Sequence, residues 1–195
     1  MPSDFLNEIT AFNFRCGRPK PGKCALLVID MQQFFLSIAS PILQNVRTII
    51  DACRSKGVPI IFTRHGHRNI LEDGGMLAKW WGDCIEHGSN EWKIMDAIVP
   101  KDDDRIVDKN RYSAFFKTRL DEILKSLKIE ELIITGVMTN CCCETTARDG
   151  FVRDYRIFFI SDATAAANEE LHLASLKNLA YGFAHILNTE TLCRF

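Results

Sequence analysis

Unbroken apolar runs alternate along this chain with stretches of helical spacing. Cys24-Ala25-Leu26-Leu27-Val28-Ile29 is apolar throughout and stops at Asp30, as suits a strand buried on both faces of a parallel sheet. From Pro41 to Lys56, Ile42, Val46, Ile49, Ile50 and Cys53 fall on one side of a helix, and Gly57 closes it. Val58-Pro59-Ile60-Ile61-Phe62-Thr63 predicts a second strand. Residues 64–103 are polar, rich in Gly and Trp and without clear period, and irregular chain of that length is often functional. Arg105-Ile106-Val107 predicts a short third strand, and Thr118 to Leu127 a helix with Leu120, Ile123, Leu124 and Leu127 on one face. A strand over 132–135 leads into a helix over 141–154. A strand over 156–160 ends at Ser161-Asp162. A helix from Glu169 to Tyr181 and a strand over 184–187 complete the series.

Strands that alternate with helices predict one α/β domain, a mainly parallel sheet between two helical layers in a Rossmann-like arrangement. Sites in such sheets form beyond the carboxyl ends of the strands. Residues 1–23 are expected to be an N-terminal extension, ending in the turn-rich Gly17-Arg18-Pro19-Lys20-Pro21-Gly22. Residues 24–195 are expected to be the domain. The chain of 195 residues is long enough for a full core.

Composition narrows the function classes. A net charge of −1 gives no general electrostatic case for nucleic acid. The apolar runs are too short to span a membrane, and the N-terminus lacks a basic-then-apolar signal pattern. Eight cysteines are present, three adjacent (Cys141, Cys142, Cys143) and five scattered (Cys16, Cys24, Cys53, Cys84, Cys193). Neighbouring cysteines seldom meet disulfide geometry, and no C-x-x-C pair is present. Free thiols in a reducing cytoplasm are the expectation.

Chemistry gathers at strand ends. Cys142 falls after the strand 132–135, at the start of a helix, where unpaired N–H groups and the macrodipole favour a thiolate. The same N–H groups can hold an oxyanion beside the sulfur. The alternative is a small apolar residue in a crowded helix start. Asp30 ends the first strand, where it reads either as a proton carrier or as a cap. Lys109 follows the third strand, either as a solvated loop lysine or as a partner for Asp30 and a thiolate. His65 and His67 form an H-x-H, which more often belongs to an ordinary loop than to a metal site. No G-x-G-x-x-G follows Gly136, so the dinucleotide fingerprint is absent.

Three segments together resemble the isochorismatase-like cysteine hydrolase superfamily: Leu27-Val28-Ile29-Asp30-Met31-Gln32, Lys109-Asn110-Arg111-Tyr112-Ser113-Ala114-Phe115 and Gly136-Val137-Met138-Thr139-Asn140-Cys141-Cys142. Thr146-Ala147-Arg148-Asp149 and Ser161-Asp162-Ala163 continue the pattern. The resemblance implies a triad of Cys142, Asp30 and Lys109. It also implies an oxyanion hole from the N–H groups of Met138 and Cys142, and a cis peptide between Val137 and Met138. Isochorismatases proper resemble the motif without the cysteine, so Cys142 favours C–N over vinyl-ether hydrolysis. Nicotinamidases carry an Asp-x-His metal motif where this chain has Thr63-Arg64-His65. The resemblance therefore points here to a hydrolase without metal or cofactor.

The pattern of Asn140, Glu144-Thr145-Thr146 and Arg148-Asp149-Gly150-Phe151 looks nearer to the ureido and carbamoyl amidohydrolases. The expected substrate is thus a small linear amide, carbamoyl or ureido compound. A nicotinamidase-like amidase and a non-catalytic binding or structural oligomer are the alternatives. Phe35 stands where the family places an aromatic wall, or is a core residue. Arg64 and His65 are candidates to meet a polar substrate group. Trp80 and Trp81 would cover the site or pack at a subunit interface. The family resemblance also implies a homodimer or homotetramer, while charge and the short apolar runs give no nucleic-acid or membrane partner.

Overall fold

The computed structural model describes residues 5–15, 17–82 and 84–194; Cys16 lies outside them. The elements run α1 (Phe5–Glu8), β1 (Cys24–Ile29), α2 (Leu36–Ala39), α3 (Leu43–Ser55), β2 (Ile60–His65), α4 (Ile70–Asp73) and α5 (Gly75–Trp81). Then come β3 (Arg105–Lys109), α6 (Leu120–Ser126), β4 (Glu131–Val137), α7 (Glu144–Phe151), β5 (Arg156–Ala165), α8 (Glu169–Gly182), β6 (Ala184–Leu187) and α9 (Thr189–Cys193). The strands form one sheet in the order β3-β2-β1-β4-β5-β6, and every pairing is parallel.

The continuous apolar runs are explained by burial on both faces. Along β1, Ala25, Leu27 and Ile29 join the core under α6, α7 and α8, with Leu120, Leu124, Ala147, Leu176 and Leu179. Cys24, Leu26 and Val28 alternate into the opposite core, against Val46, Ile49 and Cys53 of α3 and Leu192 of α9. No helix among the described residues is long and apolar enough to cross a membrane. Cys24, Cys53, Cys141, Cys142, Cys143 and Cys193 are free thiols.

Chain connections turn opposite ways from β1, towards β2 on one side and β4 on the other. The crevice at the carboxyl ends of β1 and β4 is therefore the switch point where ligands bind in open α/β sheets. Asp30 follows β1 directly, and the 138–143 segment follows β4.

Several boundaries differ from the sequence expectation. β2 runs to His65 because it pairs with β3 up to His65↔Lys109, and its polar end conceals the continuation. β5 runs to Ala165 because it re-pairs with β4 beyond an irregularity at Gly136. Residues 64–103 are not wholly irregular. They hold α4, capped by the Asn69 side chain accepting from Leu71 N–H, then α5 and a 3-10 turn at Asp96–Ile98. One bridge ties the segment to Gln32 through Ile94, and another joins its own residues His67 and Glu86. In the N-terminal region Ile9 is fully buried and the Asn13 amide donates to Ile186 O, so it lies against the sheet.

Candidate active site

Three strand ends converge. Lys109, the last residue of β3, brings Nζ to 2.7 Å from Asp30 Oδ2 and donates to Cys142 Sγ at 3.3 Å. It also donates to Arg111 O at 3.0 Å. The Lys109 and Asp30 side chains are completely buried, so Lys109 is not the solvated loop lysine that its charged surroundings suggested. Burial alone lowers the Lys109 pKa, but Asp30 and Cys142 reverse that and raise it overall. The lysine is therefore an ammonium that offsets the charge of the carboxylate beside it.

Asp30 is held by a residue that sequence reasoning missed. Thr63, on β2, donates its hydroxyl to Asp30 Oδ1 at 2.5 Å and accepts from the Asp30 N–H at 3.1 Å. Asp30 itself has a φ of +47°, left-handed backbone that Asp tolerates better than most residues. A threonine at a buried strand end gives no sequence signal until its neighbour strand is known.

Cys142 sits in one turn of π-helix, Thr139–Cys143, that leads into α7. The Cys141 and Cys143 N–H groups donate to Met138 O at 3.1 Å each. The peptide between Val137 and Met138 is cis. Gly136 has a φ of +112°, and a Cβ there would stand 2.0 Å from Ile29 O, so β4 approaches β1 as closely as only glycine permits. Burial is the main influence on the Cys142 thiol and pushes its pKa well up; Lys109 opposes this and Asp30 adds to it. The thiol form is thereby favoured over the thiolate.

A cavity of about 430 Å³ opens onto Cys142. Its wall includes Phe34, Phe35, Tyr112, Trp81, Met138 and His65. Phe35 and His65, singled out in the sequence, both line it. Arg64 and Trp80 do not. Adjacent residues on a strand face opposite sides, so with His65 turned to the cavity Arg64 turns away. It pairs with Asp108 at 2.7 Å and lies 3.7 Å over the Trp92 ring. Trp80 is 77% exposed and borders a separate cavity with Met76 and Phe116. Its neighbour Trp81, about 100° round the helix, takes the inward place and donates to Tyr112 OH at 2.7 Å.

The residues do not fit a nicotinamidase-type metal. Thr63, where the motif needs an aspartate, is occupied with Asp30. Arg64 faces elsewhere, and the His67 Nδ1 is 3.0 Å from Asp73. Among the described residues no group of three His, Cys, Asp or Glu is arranged to hold a metal ion.

Two buried histidines make the fold sensitive to acid. Burial, more than the nearby Lys109, lowers His65 to about 3. Burial likewise lowers His172, whose Nδ1 lies 2.8 Å from Thr139 Oγ1 beneath the π-turn, to about 4. Unfolded, both titrate near 6.5, so below that pH the unfolded chain binds protons that the folded chain refuses. The stability conferred by the neutral rings is present above pH 6.5 and lost as pH falls towards 4. Each ring contributes a slope of up to about 1.4 kcal/mol per pH unit. Urea unfolding at pH 7.5 and 5.0 checks this. A midpoint drop that is not reduced in His172→Gln would contradict the assignment.

A buried Cys, Asp and Lys thus meet at the switch point of a parallel α/β sheet. The chain matches the isochorismatase domain over residues 24–191, and it belongs to that family. It is 51% identical over 179 residues to nicotinamidase 3 of Arabidopsis thaliana, covering 90% of each chain. It resembles the solved structure of a cysteine hydrolase from Pseudomonas syringae pv. phaseolicola 1448A, with TM-score 0.87, 30% identity and coverage of 92% of this chain and 94% of that one. The N-carbamoylsarcosine amidase of Thermoplasma acidophilum is also similar, with TM-score 0.76, 27% identity and coverage of 86% and 97%.

Proposed function

We propose that this protein is a cysteine amidohydrolase that cleaves the C–N bond of a small, flat, uncharged carboxamide, nicotinamide among them. The observation that carries the reading is Cys142, in contact with a buried Lys109–Asp30 pair, at the floor of an aromatic cavity. Asp30 takes the thiol proton as Cys142 Sγ attacks the amide carbon. The N–H groups of Met138 and Cys142 hold the oxyanion. Collapse expels the amine as ammonia, protonated by Asp30, and leaves a thioester. Asp30 then takes a proton from water, and the resulting attack frees the carboxylic acid and returns the thiol. Lys109 orients Asp30 through its 2.7 Å contact.

The wall supports an aromatic amide above the linear ureido acids favoured by the sequence pattern. Phe34, Phe35, Trp81 and Tyr112 offer ring faces. Among the described residues no arginine or lysine lines the cavity to meet a substrate carboxylate. The 51% identity to a nicotinamidase points the same way; similarity to a carbamoyl amidase keeps the ureido class as the second reading.

Ammonia release from nicotinamide, benzamide, a ureido acid and a carbamoyl amino acid tests this, with and without chelator. The expected result is release from the aromatic amides, unaffected by chelator. Release from the ureido or carbamoyl acids alone would replace the aromatic reading with the second one. Chelator-sensitive release would contradict the metal-free mechanism.

A further inference from the structure

One polar ring in the cavity wall has a nitrogen with no hydrogen-bond partner. His65 is 6% exposed and lines the cavity with Cys142. Its Nδ1 is buried without a hydrogen-bond partner, and its ring contact is with the His67 ring, 5.2 Å between centroids. The backbone of the same residue is held twice over. Its N–H donates to Gln32 Oε1 at 2.7 Å and its carbonyl accepts from Gln32 Nε2 at 2.9 Å. Gln32 also donates to Trp92 O at 2.8 Å and is itself fully buried. The backbone thus fixes where the ring stands. Nδ1 is its enclosed nitrogen, so Nε2 is the one left to meet a ligand in the cavity.

The other polar groups of that wall offer less. Tyr112 OH already accepts from Trp81 Nε1, and Ser37 stands on the exposed rim. His65 is neutral, because burial and the positive charges of Lys109 and Arg111 all oppose its protonation. A neutral imidazole has one N–H donor and one bare nitrogen. The enclosed Nδ1 has no acceptor to meet an N–H, and a buried unpaired N–H is the rarer defect, so the bare nitrogen is favoured there. The proton then sits on Nε2, the nitrogen left to the cavity.

We propose that His65 sets the specificity of this site: its Nε2–H donates directly, with no metal between, to a ring nitrogen of the substrate. The cavity thereby selects a heteroaromatic carboxamide over its all-carbon analogue. This rests on the amidohydrolase reading above. Gln32 serves as the positioning residue, through the backbone of His65. The disagreement with the metal motif has a physical sense here, since a threonine that secures Asp30 and a bare histidine replace a metal-binding pair.

The test compares kcat/KM for nicotinamide and benzamide in the wild type, His65→Phe and His65→Gln, each before and after chelator treatment. Wild type is expected to prefer nicotinamide by about tenfold or more, the size of one satisfied hydrogen bond. In His65→Phe the ratio falls close to one, chiefly through a higher KM for nicotinamide. His65→Gln, which keeps a donor, retains part of the preference and guards against misfolding of the first variant. The same comparison by calorimetric binding to Cys142→Ala protein should show the preference without turnover. A ratio unchanged in His65→Phe, or abolished by chelator in the wild type, overturns this inference alone. Hydrolysis of neither amide by the wild type overturns the amidohydrolase reading and this inference with it.

Discussion

Cys142→Ala is expected to lower turnover by roughly 10,000-fold or more, the scale on which loss of a nucleophile acts in acyl-transfer enzymes, while the protein remains folded. Alanine is slightly smaller than cysteine. Lys109, which donates to the thiol, keeps Asp30 and Arg111 O as partners when the sulfur is removed, so the packing of the π-turn survives. The neighbours supply the control. Cys143 is buried in the core beneath α8, and Cys141 stands on the cavity wall beside Tyr112. Cys141→Ala and Cys143→Ala should each keep most of the activity. Equal loss in all three variants would move the nucleophile away from Cys142. Asp30→Asn should also be inactive, because an amide cannot take the thiol proton, although it can still accept the Thr63 hydroxyl. An active Asp30→Asn protein would remove Asp30 from the proton path. Steady-state ammonia release, read beside circular dichroism for each variant, measures all four.

Gly136→Ala is expected to destabilise the fold by about 3 kcal/mol or more, among the larger effects of single substitutions. Two causes coincide at that residue. The φ of +112° lies where L side chains are strained, and the added Cβ would stand 2.0 Å from Ile29 O and 2.8 Å from Ile29 N. Neither atom can yield, since both belong to the backbone of β1, the central strand paired with β4 through Ile29↔Gly136. Movement of either strand would also separate Asp30 from Cys142, so activity should fall further than the folded fraction alone would explain. Gly182, where an added Cβ would meet nothing within 4 Å, is the matched control: Gly182→Ala should leave the unfolding midpoint nearly unchanged. Chemical denaturation of the two variants decides the point, and similar midpoints would show that the two strands can separate without cost.

Most of the scaffold was legible along the chain because its signals are local. An apolar run such as 24–29 needs only burial on both sides to be recognised, and the spacing of Val46, Ile49, Ile50 and Cys53 needs only the helical period. What escaped was set by pairing. The end of β2 is polar, and its extension to His65 exists because β3 lies beside it. The short α4 and α5 have too few residues to show a period.

The order of motifs along the sequence was enough to determine a parallel α/β domain and to single out Asp30, Lys109 and Cys142 as the residues worth bringing together. Only the tertiary structure decided that they meet, with Lys109 between carboxylate and sulfur. It alone separated His65 from Arg64 and Trp81 from Trp80, since which of two neighbours faces a cavity depends on the orientation of the whole strand or helix. It alone revealed Thr63 and Gln32, whose partners are about thirty residues away in the chain. The physical reason is common to all of these. Periodicity records whether a side chain is buried, whereas a site depends on which distant backbone it is buried against.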